Sequence, residues 1–241
     1  MRAAVQTGIR EVRLGRHAAR PLSRPPLVVL SGSSCSGKST LAPRLVDGLG
    51  LPLVAKDDLK ETLYDVLGTP PDREASRRLG LAAMRLLYRS AAGLLEAGVG
   101  AIVEANFWRG RCEGELAPLV ARAAAVRVHC QASRELLVRR QLARAHGEAP
   151  RHAGHVAHTP AAPLLALLER PDELTSAPWP DYDPPDLDTP LLVVDTTDGY
   201  APDVPEVVAW IGRRLADRPP AADRPTRSLT GGTLRRRAGP L

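Results

Sequence analysis

The chain has 241 residues, 44% of them hydrophobic, enough for one domain with a real core and room for extensions at both ends. No run reaches the ~20 apolar residues of a membrane-crossing helix. The arginine-bearing N-terminus lacks the apolar centre of a secretory leader, so the chain reads as cytoplasmic with no membrane partner. The formal charge of +6 comes from the ends, since residues 1–26 and 218–241 each carry +5 and residues 27–217 carry −4. A basic groove for nucleic acid is therefore not a property of the central region, although the tails could touch anionic surfaces weakly.

Residues 1–26 show little apolar periodicity and read as a loose basic arm. A first strand spans Leu27–Leu30 and a helix runs from Lys38 to about Leu49, ended by Gly48 and Gly50. Leu53–Ala55 is a short second strand, after which Asp57 or Asp58 caps a helix to about Leu67. Asp72 opens a long helix with Leu79, Ala82, Ala83, Leu86, Leu87, Leu94 and Leu95 on one stripe, its continuity weakened by Gly80 and Gly93. The third strand is Ala101–Ala105, followed by a helix from about Arg111 to Ala124 with a kink at Pro118. Val126–Cys130 is the fourth strand, and Ser133 caps a helix reaching about His146. Residues 147–160 read as an exposed loop, with a short helix near Leu164–Leu168 and an extended Pro-rich stretch from Pro178 to Pro185. Leu191–Asp195 is the fifth strand, and the last helix is Val204–Leu215 with Val207, Val208, Ile211 and Leu215 inward. The remainder is Pro/Arg/Gly-rich and reads as disordered. Short β-branched strands alternating with helices imply an α/β domain, a parallel sheet covered on both faces with its ligand crevice at the carboxyl ends of the strands.

One of those strand ends carries a phosphate-binding pattern. Gly32-Ser33-Ser34-Cys35-Ser36-Gly37-Lys38-Ser39-Thr40 fits G-x-x-x-x-G-K-[ST], with the required strand before and helix after. The glycines let backbone N–H groups converge on an anion at a helix N-terminus. Lys38 would reach the β- and γ-phosphates of ATP, and the Ser39 hydroxyl would ligate Mg²⁺. Of 33 basic residues only Lys38, Lys56 and Lys60 are lysine, which hints that these positions need a compact ammonium. The three cysteines, Cys35, Cys112 and Cys130, are too scattered for a metal site or a disulfide framework. Cys35 reads as a small residue tolerated in the loop, or as a thiol whose modification would block nucleotide binding.

The phosphate loop, Lys56-Asp57-Asp58-Leu59-Lys60 and Glu104-Ala105-Asn106 together resemble the P-loop small-molecule kinases. The closest branch is that of polynucleotide 5′-kinases, chloramphenicol phosphotransferase-like enzymes and zeta-toxin-like sugar-nucleotide kinases. The resemblance covers roughly residues 27–217 and implies a three-layer α/β/α domain, sheet order 2-3-1-4-5, with a small helical lid over about 134–160. It implies Asp57 as the general base and Lys60, where the family often carries Arg, as an acceptor or phosphate contact. Asp58 then caps the helix or touches the Mg²⁺ shell and acceptor. Glu104 stands where a Walker B acid would, ordering Mg²⁺-bound water or binding the acceptor; Asn106 and Arg109 are further acceptor contacts, with Trp108 either a contact or plain packing. Lid arginines close over the triphosphate in these kinases, and Arg140 and Arg144, one turn apart, fit that role better than Arg139. His146, His152, His155 and His158 have no cysteine near them and do not read as a zinc site. Tyr200, after the fifth strand, borders the adenine by the same resemblance. The expected activity is ATP- and Mg²⁺-dependent phosphorylation of a hydroxyl on a small molecule, with an antibiotic, sugar, nucleoside or sugar nucleotide all open. The alternatives are a nucleic-acid 5′-hydroxyl kinase and an ATP-binding regulator that transfers nothing.

Overall fold

The computed structural model describes residues 24–146, 152–156 and 183–216. The arm to residue 23, the tail from residue 217, much of the lid stretch, the short helix near Leu164–Leu168 and most of the Pro178–Pro185 segment lie outside the described residues.

Strand β1 (Pro26–Gly32) is the centre of the sheet. It pairs in parallel with β3 (Ala101–Glu104) on one side and β4 (Ala124–Gln131) on the other. Strands β2 (Leu53–Ala55) and β5 (Leu191–Asp195) complete an all-parallel sheet of order β2-β3-β1-β4-β5. The run Leu27-Val28-Val29-Leu30 is apolar at every position because both faces are covered. Its alternation divides the core. Leu27 and Val29 pack with Leu87, Leu95, Phe107 and Leu116 on one face, and Val28 and Leu30 with Leu41, Leu45, Val207 and Ile211 on the other. Helices α1 (Lys38–Leu49) and α7 (Val204–Ala216) thus cover the second face, while α3 (Arg73–Glu96) and α4 (Glu113–Arg122) cover the first. The other described helices are α2 (Lys56–Leu67), α5 (Arg134–Ala145) and the short α6 (Ala153–Val156). The strand order reverses beside β1, which puts the ligand crevice at its carboxyl end.

Several local expectations change. Gly48 does not end α1: it lies inside the helix, where a Cβ would come within 2.7 Å of Val208 on α7. Gly50 is the cap, in left-handed conformation with its N–H donating to Val46 O at 2.8 Å. Helix α3 is continuous through Gly80 and Gly93 and is capped by Asp72, which accepts from Ala75 N at 2.7 Å. Its buried face is Ser76, Ala83, Leu87, Ala91 and Leu95, a four-residue stride that leaves Ala82 and Leu86 in solvent. Helix α4 stops at Arg122 and does not run on through the alanines, because the sheet takes their backbone: Ala124 N donates to Pro25 O at 2.9 Å. Neither Asp57 nor Asp58 caps α2. The helix starts at Lys56 behind Ala55, which offers no capping side chain, and both acids sit in its first turn.

Two positions on the β1–β4 pair lend themselves to measurement. Gly32, at φ 142°, faces the Cys130 carbonyl so closely that a Cβ would overlap it. Gly32→Ala is expected to destabilise by at least about 2 kcal/mol, roughly 4–8 °C in Tm by calorimetry. His129 is buried with Nδ1 2.9 Å from Ser31 Oγ, and burial, then the Lys38 ammonium, hold its pKa at about 4. The unfolded imidazole protonates near pH 6.5, so below that pH the unfolded state binds the extra proton and stability falls toward pH 4. The advantage of the native chain over His129→Gln should shrink by about 2 kcal/mol between pH 7 and 4.5 in urea titrations. A change below about 1 kcal/mol would reject the neutral buried imidazole.

Candidate active site

Beyond β1 the chain turns through Ser33–Ser36, with Cys35 at φ 66° and Gly37 at φ 85°, and enters α1 at Lys38. Gly37 occupies the N-cap and supplies no side-chain acceptor, so the cap leaves the first-turn donors to another anion. Ser36 Oγ is buried without a hydrogen-bond partner among the described atoms, an orphan inside the loop. Lys38 is only 5% exposed and donates from Nζ to Ser33 O at 2.8 Å, with Glu104 Oε1 at 4.0 Å. Burial lowers the lysine pKa while Glu104 and Asp57 push it back up; burial raises the Glu104 pKa while Lys38 opposes the rise.

Two residues that brace this loop come from far along the chain. Thr196, just past β5, places Oγ1 2.9 Å from Ser36 O and 3.0 Å from Gln131 O. Arg140 on α5 donates from Nη1 to Cys35 O at 3.1 Å and from Nη2 to Thr196 O at 2.9 Å. Sequence reasoning placed Thr196 in the loop after the fifth strand but gave it no role of its own, since a threonine there carries no motif. It also grouped Arg140 with Arg144 as triphosphate contacts. The structure separates them, because Arg140 grips the back of the loop while Arg144 lines the polar cavity in front of it. Arg139 faces outward and pairs with Glu135 at 2.8 Å.

That polar cavity, about 160 Å³, is walled by loop and α1 residues including Ser34, Cys35, Gly37, Lys38, Ser39 and Thr40, and by Lys56, Asp57, Asn106 and Arg144. Asp57 Oδ1 accepts from Lys56 Nζ at 2.8 Å. Asp58 lies beside it on the exposed side of the first turn, its pKa raised by partial desolvation and then by the Asp57 carboxylate. Lys60 turns the other way, toward Ser76 Oγ and the Gly154 carbonyl of α6, each at 3.2 Å. Arg109 pairs with Asp183 at 3.3 Å on the surface. His152 stands 2.9 Å from Asp65 Oδ1 and edge-on to Tyr64, the side chain of His155 and all of His158 lie outside the described residues, and His146 is exposed. Tyr200 packs on the core with Arg44 over its ring.

A second, larger cavity of about 630 Å³ adjoins the first and shares Lys56 and Asn106 with it. Its walls come from α3 and from the turn between β3 and α4, and include Leu81, Met84, Tyr88, Trp108 and Arg111. The sequence offered α3 only as a core stripe, so this outer face of the helix went unread.

The donor set fits a nucleotide phosphate chain and its Mg²⁺. A buried ammonium and a helix N-terminus face one polar cavity, and the Ser39 hydroxyl lies in its wall. Among the described residues no group of three or more His, Cys, Asp or Glu could hold a metal alone. A parallel 2-3-1-4-5 sheet with a phosphate loop after its central strand defines a P-loop kinase-type domain. The AAA domain family matches residues 27–163, more than half the chain, and the chain belongs to that family. Among solved structures it is similar to a candidate kinase from Chloroflexus aurantiacus J-10-fl, at 35% identity over 79% of this chain and 98% of that one, with a TM-score of 0.67. It shares its fold with APE1195, at 21% identity over 82% and 99% of the two chains and a TM-score of 0.51. No curated protein matches the chain. No helix among the described residues is long and apolar enough to cross a membrane.

If Arg140 serves as the brace of the loop, Arg140→Met should cost about 1–3 kcal/mol of stability, measured by urea titration, by orphaning the Cys35 and Thr196 carbonyls. Arg144→Met should leave stability within about 0.5 kcal/mol of the native chain.

Proposed function

We propose that the protein is an ATP-dependent phosphotransferase that moves the γ-phosphoryl group onto a hydroxyl of a small molecule. The observation that carries this reading is the convergence of Lys38, Ser39, Asp57, Asn106 and Arg144 on one polar cavity with a second cavity beside it. Phosphoryl transfer asks for charge stabilisation and an aligned acceptor more than for covalent help.

In this reading Gly32–Thr40 holds the phosphates and Lys38 neutralises them. Asp57 accepts the proton of the acceptor hydroxyl, whose oxygen forms the new bond to the γ-phosphorus as the bond to the β,γ-bridging oxygen breaks and ADP leaves. Lys56, 2.8 Å from Asp57, holds that carboxylate in place. Arg144 meets the charge on the equatorial oxygens. Ser39 would ligate Mg²⁺, with Glu104 and Asp58 toward its water shell; when bound, the ion supplies further neutralisation of the phosphates. Asn106 hydrogen-bonds the acceptor. Lys60 and Arg109 stay outside the reaction here, because they are turned to other partners. Residues 27–217 form the catalytic unit, the flanking basic segments are accessory, and the protein works in the cytoplasm.

Phosphorus NMR of the purified protein with Mg·ATP and pooled hydroxyl compounds should show a new phosphoester signal. Asp57→Asn should lower kcat by about 10²–10⁴ with ATP affinity nearly unchanged. Equal turnover by Asp57→Asn would remove it as the base, and tight ATP binding without product from any pool would favour a nucleotide-binding regulator.

A further inference from the structure

The larger cavity has a chemistry that narrows the acceptor. Leu81, Met84 and Tyr88 lie on one face of α3, at spacings of three and four residues, and turn apolar surface into it. Opposite them Trp108 presents its ring, with the Arg111 guanidinium stacked over it at 5.2 Å. The cations at its mouth already have partners, since Arg85 pairs with Glu115 and Arg111 with the indole. Polar side chains shared with the phosphate cavity, Lys56 and Asn106, stand only at the inner end. A volume of about 630 Å³ suits a molecule of drug-like size.

We infer that this cavity binds a ring-bearing alcohol. Its flat apolar body lies between the α3 face and Trp108, and its hydroxyl reaches the inner end between Lys56 and Asn106, next to Asp57. The inference rests on the phosphotransferase reading for the fate of that hydroxyl, but not for the binding itself. It sets aside free sugars, which would strand polar hydroxyls against Leu81 and Met84.

The test uses 2-naphthalenemethanol as the ring-bearing probe and glucose as the polar one, with the full chain and Mg·ADP present. Saturation-transfer NMR should show strong transfer to the naphthyl protons and none to glucose. Leu81→Glu places a carboxylate in the apolar wall at a position 59% exposed, where folding tolerates it. It should weaken the naphthyl signal at least fivefold while ADP affinity, measured calorimetrically, stays within twofold. Trp108→Leu should weaken it similarly. Naphthyl binding indifferent to both substitutions, or glucose binding that Leu81→Glu leaves intact or improves, would overturn the inference. Adding ATP separates the two readings. Cavity-dependent binding with no phosphate transfer to any alcohol would defeat the phosphotransferase reading alone. Phosphate transfer to sugars without naphthyl binding would defeat the ring-bearing acceptor alone.

Discussion

The ammonium of Lys38 is enclosed almost completely, with one carbonyl oxygen at 2.8 Å and one carboxylate at 4.0 Å to offset the loss of water. A buried cation tolerates that only if its surroundings stay polar and fixed. The surroundings are supplied by several elements of the domain. Strand β1 delivers Ser33, β3 ends on Glu104, and the start of α2 brings Asp57. Behind them the loop is fixed from the far edge of the sheet by Thr196 and from α5 by Arg140. The parallel register of β1 with both β3 and β4 is what lets residues more than a hundred positions apart converge on one loop.

The candidate active site shows how the two cavities divide the chemistry. The smaller one is lined by ionic and hydroxyl groups and suits phosphates. The larger one is lined by α3 and Trp108 and suits apolar surface. Lys56 and Asn106 belong to both, so they mark the seam between the two. Lys56 is also one of three lysines in a chain whose other thirty basic residues are arginine. A small ammonium beside Asp57 leaves room at that seam which a guanidinium fork would fill.

What the sequence made legible followed from local chemistry. The phosphate loop announced itself by spacing, β5 by a bounded apolar run, and the caps at Asp72 and Ser133 by residue type. The sheet order came from family resemblance and matches the structure. The misreadings came where tertiary demand overrode propensity. Ala123 and Ala124 read as the end of a helix, but α4 stops at Arg122 and Ala124 opens β4. Gly48 read as a helix stop, but it is a contact point for α7. Asp57 and Asp58 suited a cap, yet α2 already starts at Lys56 and leaves both acids on its first turn. Nothing in a one-dimensional pattern separates Arg140 from Arg144. Both sit on one helix face, and only the neighbours show that one holds the loop and the other faces the cavity.

That last difference has a mechanical corollary. Helix α5 is fastened to the nucleotide loop at Arg140, and Arg144 lies about one turn, ~6 Å, further along the same rod. Leu137, Val138 and Leu142 of the same helix are buried as well, so α5 is held along its length and not at one point. The offset between the residue that grips the loop and the residue that lines the cavity is therefore set by the rise of the helix alone, a fixed spacer written into the backbone.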